Sequence, residues 1–497
     1  MAELVEGAAT QHVERVANLG REGWRARAEG WSTIRRFILV LLVLYIVKQG
    51  IFVVAFHPFS GHDEVAHYSY LQTVATEHRV PILLEDRLPE NLYRYCRYVL
   101  NWDPCRPADT RWLANPPNWA TYGAAGAHQV GMQYAANHPP LYYLLMTPLY
   151  WISDSQSAVV QQYLLRVAAI PFGLLTVFLA FRTVRALFPG DAFLAVTVPA
   201  FVAFQPQVSY EAAMVNNDIV AIALYSWILY LLVTGIRDRF PRRISVLLGV
   251  ALGLALLSKG TSITVLPIVA LAVVRGLGWR NLRGWLSTGV MIAAIGGLIA
   301  FPWYLFLWRT YGNLDGFEQI SKLQWWNYYR QAKPGFFDLL FNPKFVADRF
   351  AETWGQFGWR LIPLSTALLW AIAIPLLVGA GGLVQYAVTA RSRDDLTGDG
   401  ESVMRPATWQ VSALLVLLAT AVVAYLAVVQ FGTTFSLTQA RYFFPAVNAG
   451  AILLMLGLRT VIPRSAHRYG QGAIFAALVL LNVLVFTQYV IPHYRAT

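Results

Sequence analysis

The stretch GHDEVAHYSY, residues 61–70, places two adjacent carboxylates, Asp63 and Glu64, just after an apolar run that ends near Phe56. Ionisable side chains at the mouth of a membrane are costly and usually serve a function. One chemistry that needs a carboxylate there is general-base catalysis, in which the acid takes a proton from an acceptor hydroxyl. The acid pair is therefore the first candidate for a catalytic site.

The same stretch also predicts the start of a helix. Ser60 and Asp63 fit a capping box, and the apolar residues that follow recur at helical spacing, which predicts a short amphipathic helix on the outer membrane surface. In this interpretation the Asp63 carboxylate caps the helix and Glu64 favours its positive N-terminal end. Capping does not explain why the acid pair lies between two histidines, His62 and His67.

Two other functions place acids beside a membrane span. A zinc hydrolase of the H-E-x-x-H type needs histidines four residues apart, whereas His62 and His67 are five apart and point to different faces of a helix. A secondary transporter would carry its acids in mid-membrane, on broken helices related by an internal repeat. No repeat is evident in the sequence, which favours the general base.

Composition and charge place these residues in a polytopic membrane protein. The chain has 497 residues, of which 57% are hydrophobic and 13% charged, and long apolar stretches recur along it. The formal net charge of +12 does not indicate a nucleic-acid partner. Its bases form short clusters between apolar runs, which is the pattern of membrane topology, so the expected partner is the lipid bilayer.

Eleven apolar segments are long enough to be considered as spans, since about 20 helical residues cover the roughly 30 Å hydrocarbon core. The predicted fold class is an all-α polytopic membrane protein with about 11 transmembrane helices. The segments lie near residues 34–56, 161–184, 191–207, 216–236, 243–258, 261–278, 285–308, 361–388, 407–431, 442–462 and 472–491.

Charge sets the predicted orientation. Arginine clusters fall in alternate loops, which we assign to the cytoplasm together with the basic N-terminal segment, residues 1–33. Residues 138–151 are short, rich in Tyr and Trp and interrupted by prolines, so we place them in the membrane interface; a twelfth span would move every cluster outside. Residues 34–497 then form one domain of the plasma (inner) membrane, with large outer loops at 57–160 and 309–360 and juxtamembrane helices in the first.

Cys96 and Cys105 are the two cysteines of the chain, and they lie close together in the first predicted outer loop. Extracytoplasmic loops are exposed to an oxidising environment, so we predict a disulfide between them. Two unpaired thiols are the alternative.

The succession of a first span, an acid pair opening a surface helix and the segment HPPLYY resembles the GT-C superfamily of membrane glycosyltransferases. Its members use polyprenyl-phosphate-linked sugars and include the protein O-mannosyltransferases and the lipid A aminoarabinose transferases. The resemblance covers about residues 34–460 and looks most like a bacterial branch known mainly as predicted membrane proteins. Further motifs follow in the expected order: LLRVAAIPFGLL (164–175), QPQVSYEAAMVNND (205–218), TWGQFGWR (353–360) and TQARYFFP (438–445).

This resemblance implies a GT-C-like fold and an extracytoplasmic active site that moves a hexosyl or pentosyl group from polyprenyl phosphate to a hydroxyl acceptor. It implies that Asp63 is the catalytic base, with Glu64 as a helper or a metal ligand. The acceptor, whether glycan, lipid or protein, is left open, and so is the cofactor, including a divalent cation such as Mg or Mn. A transporter or flippase for a lipid-linked sugar and a glycan polymerase or ligase are the alternative functions.

A leaving phosphate needs positive charge beside it. Lys259 and Arg441 are the two bases in the short predicted outer loops, and a lipid phosphate would neutralise a cation that is otherwise costly in a membrane site. Snorkelling of these side chains to the headgroups is the alternative. Arg166 is a further candidate for the donor phosphate, unless it bonds the backbone at a helix start.

Candidates for substrate contacts are polar residues of the same predicted face. His67 flanks the acid pair, and His138 precedes two prolines. Tyr210, Asn217 and Asp218 belong to a polar cluster suited to sugar hydroxyls, although Asn217 or Asp218 could equally cap the next helix.

Overall fold

The computed structural model describes residues 33–89, 92, 133–322, 334–392, 406–434 and 439–496. This part of the chain is almost entirely helical. Its one short strand, Ile362–Pro363, forms antiparallel bridges with Gln356 and Phe357. Nine helical segments within the described ranges are long and apolar enough to cross a membrane.

The first six helices come from residues 33–211, and α3, with 12 residues or about 18 Å, is too short to span. They are α1 (Thr33–Ala55), α2 (Glu64–Glu77), α3 (Leu141–Ile152), α4 (Ala158–Leu187), α5 (Ala192–Phe204) and α6 (Pro206–Glu211). The length of α3 agrees with the predicted interfacial segment.

The next eight helices come from residues 218–360, and the last four of them are short elements of the predicted second outer loop. They are α7 (Asp218–Asp238), α8 (Arg242–Ser258), α9 (Val265–Leu277, preceded by a 3-10 turn at Gly260–Thr264), α10 (Leu282–Tyr311), α11 (Phe317–Lys322), α12 (Phe336–Leu340), α13 (Pro343–Gly355) and α14 (Phe357–Arg360).

The last five helices complete the bundle. They are α15 (Thr366–Ser392), α16 (Thr408–Gly432), α17 (Val447–Val461, preceded by a 3-10 turn at Ala440–Ala446), α18 (His467–Leu484, preceded by a 3-10 turn at Arg464–Ala466) and α19 (Ile491–Ala496, joined to α18 by a π-helical turn at Val485–Val490).

The eleven predicted spans correspond to the nine long segments together with the shorter α5 and α8. Helix α7 is central, with 83% of its apolar window buried, whereas α15 is peripheral with 17%. The predicted span at 191–207 ends earlier, at Phe204. Proline at 206 is favoured in a first helical turn but not in a helix interior, and Gln205 caps the new helix α6 by accepting from the amide of Val208.

Helix α2 is more deeply buried than an amphipathic surface helix would be. All residues from 64 to 71 are buried, so both faces of its first two turns are covered. Its Tyr70 ring stacks on the Tyr143 ring of α3 with centroids 3.6 Å apart, and Trp151 of α3 donates a hydrogen bond to the carbonyl of Ala75. Helices α2 and α3 therefore pack against each other beside the spanning helices.

Helices α15 and α17 approach each other through glycines. A Cβ atom added at Gly457 would overlap the carbonyl oxygen of Gly379, and one added at Gly382 would overlap the carbonyl oxygen of Gly457. Small residues at such crossings let membrane helices pack backbone to backbone.

We expect Gly457→Val to push α15 and α17 apart and to lower stability by about 1–3 kcal/mol, the usual effect of overpacking. Gly450→Val is the matched control on the same helix, because no atom lies within 4 Å of a Cβ added at Gly450. Thermal unfolding of the two purified variants in detergent measures the difference. Equal melting temperatures would show that this crossing tolerates a side chain.

Candidate active site

Four buried charged side chains form one continuous ionic network, Asp63–Arg441–Asp218–Lys259. Arg441 Nη2 pairs with Asp63 Oδ2, and Arg441 Nη1 lies 3.5 Å from Asp218 Oδ2, while Lys259 Nζ pairs with Asp218 Oδ1. The exposed fractions of these four side chains are 14%, 6%, 3% and 5% in that order. Acids and bases alternate, so the network is neutral as a whole.

Each member of the network lies where a helix begins or ends. Asp63 directly precedes α2, Asp218 begins α7, Lys259 follows α8, and Arg441 lies in the 3-10 turn before α17. Charged groups are least costly near helix ends in a membrane protein. The convergence of four helix ends thus produces the site from residues that are far apart in the sequence.

The start of α7 is capped by Asn216, not by Asn217 or Asp218 as the sequence allowed. The Asn216 side-chain oxygen accepts from the amides of Asp218 and Ile219 at 3.0 and 3.3 Å. The Asp218 carboxylate is consequently available for Lys259 and Arg441.

Asp63 does not cap α2. Its backbone is left-handed, with φ of 56°, and its side chain makes no capping hydrogen bond. The Ser60 hydroxyl donates to the carbonyl of His57 instead, so the predicted capping box is wrong. The Asp63 carboxylate is turned to Arg441 and also accepts a hydrogen bond of 3.1 Å from the Tyr134 hydroxyl.

Glu64 is committed to Arg166. The guanidinium donates to both carboxylate oxygens, at 2.8 and 2.7 Å, and neither side chain is exposed. The amides of Gly61 and Val215 donate to the same carboxylate, both at 2.9 Å. The Glu64 carboxylate thus accepts two hydrogen bonds from a buried guanidinium and two from backbone amides. These four hydrogen bonds give the side chain a structural role.

Arg166 also uses its remaining donors on backbone. Nη1 donates to the carbonyls of Val53 and Phe56, and Nη2 to that of His57, at 2.8 to 3.1 Å. This arrangement replaces the predicted phosphate contact of Arg166 and the predicted helper or metal role of Glu64. The pair joins α4 to the end of α1 and so positions Asp63.

His67 and His138 lie together beside the network, with ring centroids 5.4 Å apart. Burial lowers the pKa of His67 to about 3, and the nearby positive charges of Arg441 and Lys259 act in the same direction while Asp218 opposes them. Burial likewise lowers the pKa of His138. His67 Nδ1 is 2.7 Å from the Tyr143 hydroxyl. Both rings therefore offer neutral hydrogen-bonding groups to the site.

Tyr210 and Asn217 form hydrogen bonds with backbone segments that carry the site residues. The Tyr210 hydroxyl donates to the carbonyl of Ser60 at 2.8 Å, and its buried ring packs against Phe56. Asn217 donates to the carbonyl of Ser258, the residue before Lys259, at 2.9 Å. These contacts use the Tyr210 hydroxyl and the Asn217 amide nitrogen, and the sugar contacts of the two residues stay predictions.

The predicted disulfide between Cys96 and Cys105 lies outside the described residues.

Sequence reasoning missed a second buried ionic group centred on Glu352. Its carboxylate lies 2.8 Å from both Arg349 and Arg360 and accepts from the amide of Ala440 at 3.0 Å. Ala440 directly precedes Arg441, so Glu352 holds the turn that presents this cation. The signal was present in the motifs TWGQFGWR and TQARYFFP, but their pairing is not visible in a single sequence.

The charged residues of the site do not fit a metal ion. Across the described ranges, no group of three or more His, Cys, Asp or Glu residues could hold one. The two carboxylates of the network, Asp63 and Asp218, are already neutralised by Arg441 and Lys259.

Comparison with known proteins identifies a family. The family described as "Predicted membrane protein (DUF2142)" matches residues 47–449. The chain belongs to this family. Among the curated proteins, none matches it.

The fold is shared with an enzyme of known structure. An oligosaccharyltransferase from Archaeoglobus fulgidus, in complex with Zn and sulfate, is similar over 91% of this chain with 14% identity and a TM-score of 0.52. This chain covers 53% of that protein, about half its length. The match confirms the predicted GT-C-like helical fold.

Two structures of ArnT from Cupriavidus metallidurans match with lower TM-scores. The form bound to undecaprenyl phosphate has 15% identity and a TM-score of 0.47, over 92% of this chain and 73% of its own. The apo form has 16% identity and a TM-score of 0.37, over 87% and 78%.

The Glu64–Arg166 pair predicts that removing the charge of Glu64 lowers stability more than removing the charge of Asp63. We expect Glu64→Gln to destabilise the protein by about 3–5 kcal/mol, because it leaves a buried guanidinium without its counter-charge. Asp63→Asn is the matched control, since Arg441 keeps Asp218 as a partner. Thermal unfolding in detergent tests this difference, and equal losses for both variants would contradict the structural role of Glu64.

The buried histidine predicts a pH-dependent stability. His67 has a pKa of about 3 in the folded protein against 6.5 in the unfolded chain, so the unfolded state binds more protons between these values. Stability should then rise with pH across this window and be lost as the pH falls below about 6.5. In His67→Asn the melting temperature should fall less between pH 7 and pH 4. An unchanged pH profile would contradict the buried neutral imidazole.

Proposed function

We propose that this protein is a membrane glycosyltransferase that moves a sugar from polyprenyl phosphate to a hydroxyl acceptor at the extracytoplasmic face of the plasma membrane. The observation that carries the proposal is the Asp63–Arg441–Asp218–Lys259 network, in which one partly accessible carboxylate lies against buried cations at converging helix ends. The fold shared with the oligosaccharyltransferase supports glycosyl transfer.

Asp63 acts as the general base in this proposal. It removes the proton of the acceptor hydroxyl as that oxygen forms a bond to the anomeric carbon. The bond between the anomeric carbon and the phosphate oxygen breaks, and the polyprenyl phosphate leaves with the bonding electrons, which inverts the configuration. Asp63 suits this role better than Glu64 because Asp63 is 14% exposed and carries no bidentate partner.

Arg441 and Lys259 stabilise the leaving phosphate. Fixed cations in a water-poor pocket act strongly on charge that develops in the transition state. Guanidinium groups bind phosphate through paired N–H groups. A lipid phosphate can therefore take the place of Asp63 at Nη2 and of Asp218 at Nη1 of Arg441.

The phosphate and Asp63 compete for the same guanidinium. A donor phosphate that takes over Arg441 separates this guanidinium from Asp63 and leaves the carboxylate free to contact the acceptor hydroxyl. Donor binding would therefore precede activation of the acceptor.

We expect Asp63→Asn to lower sugar transfer by 10²- to 10⁴-fold, the usual contribution of a positioned base. The same variant should bind undecaprenyl phosphate at least as tightly as the wild type, because Arg441 is released. Transfer is measured with purified protein in nanodiscs, labelled undecaprenyl phosphate sugars and membranes of the source cells as acceptor. Asp154→Asn, which changes an exposed carboxylate after α3, is the control.

Arg441→Gln should differ from Asp63→Asn by weakening the binding of the lipid phosphate as well as lowering transfer. Transfer by Asp63→Asn at the wild-type rate would refute the base. Movement of the lipid-linked sugar across vesicles without a new glycosidic bond would instead support the transporter or flippase, and growth of a lipid-linked glycan chain the polymerase or ligase.

A further inference from the structure

A small polar cavity is lined in part by Arg441 but by none of the other three members of the ionic network. Eight of its nine lining residues are polar or charged, and three of them are glutamines, Gln207, Gln356 and Gln439. It encloses about 10 Å³, which is room for about one water molecule. Its size fits a single polar substituent and not a whole sugar ring.

The carboxylates and the guanidinium groups of the cavity already have polar partners. Glu211 Oε1 lies 2.8 Å from His62 Nδ1, and Glu352 Oε1 lies 2.8 Å from Arg360. Arg441 contacts two carboxylates. The cavity is therefore suited to a neutral group.

Several polar atoms of the lining are unsatisfied within the described ranges. They are Oε1 of Gln356, Oε1 of Gln439 and Nε of Arg441. The Arg441 side chain is only 6% exposed, so the unsatisfied Nε donor is costly without a ligand. Together these groups offer hydrogen-bond acceptors on the amides and donors on the guanidinium.

We infer that this cavity binds one hydroxyl group of the sugar on the donor lipid. A hydroxyl donates one hydrogen bond and accepts two, so it can donate to a glutamine oxygen and accept from Arg441. An anion would face glutamine oxygens without a proton to share, and an ammonium group would face the guanidinium.

Arg441 connects this subsite to the proposed function, on which the inference rests. The guanidinium faces both the ionic network and the cavity, and the donor sugar is attached directly to the phosphate. A phosphate held at Arg441 therefore brings the sugar next to the cavity. The neighbouring Tyr442 lines a separate cavity of about 50 Å³ together with Tyr225, Thr261, Thr264 and apolar side chains, and Arg441 is not among its lining residues.

The test compares bare undecaprenyl phosphate with undecaprenyl phosphate that carries glucose, mannose, galactose or arabinose. We expect the wild type to bind at least one glycosylated lipid more tightly than the bare lipid. Gln439→Leu should reduce that preference by about tenfold, the effect of one lost hydrogen bond, with the affinity for the bare lipid unchanged. Gln430→Leu, an exposed glutamine at the end of α16, is the matched control.

The outcomes separate this subsite from the proposed function. Gln439→Leu with an undiminished preference would overturn the subsite, and so would equal losses on both lipids or a wild type that prefers no glycosylated lipid. Gln356→Leu repeats the measurement from the other side of the cavity if Gln439→Leu does not fold. A wild type that binds neither the bare nor the glycosylated lipids would refute the polyprenyl-phosphate donor itself.

Discussion

A guanidinium held between two carboxylates is the interaction around which the site is built. Arg441 contacts Asp63 on one side and Asp218 on the other, and Asp218 in turn contacts Lys259. Charges are expensive in the water-poor interior of a membrane bundle unless they are paired. This requirement brings the starts of α2, α7 and α17 and the end of α8 together, because the four charged groups lie at these positions.

Two neighbouring carboxylates of the same chemistry acquire different roles through their surroundings. Glu64 is saturated by Arg166 and two backbone amides, and this anchor leaves no room at Gly61, where an added Cβ would lie 2.9 Å from the Glu64 carboxylate. The anchored turn holds Asp63 in a left-handed conformation, which is uncommon outside glycine and persists only where surrounding contacts fix it. The hydrogen bonds of Glu64 thereby orient the Asp63 side chain toward Arg441.

The spans, the acid pair and the two cations were predictable because their signals are local. Hydropathy, charge alternation and helix-end position each depend on a short window around Asp63, Lys259 or Arg441. Pairings were not predictable: Glu64 and Arg166 are separated by 102 residues, and a single sequence contains no record of their contact. The ionic group of Glu352 was missed for the same reason, because Glu352 and Ala440 are 88 residues apart. The cap of α7 was placed one or two residues late because Asn216, Asn217 and Asp218 are all favoured capping residues.

Lys48 is a buried basic side chain that makes no ion pair with a carboxylate of the described residues. It lies within α1 and is 6% exposed, and its ammonium group donates to the Ala203 carbonyl and the Ser209 hydroxyl. Aromatic rings, among them Tyr45 at 4.7 Å, cover its remaining surface. Carbonyl, hydroxyl and aromatic groups thus surround this lysine, whereas Arg441 and Lys259 each lie against a carboxylate. A carboxylate beside fixed positive charge is the arrangement that the proposed reaction requires.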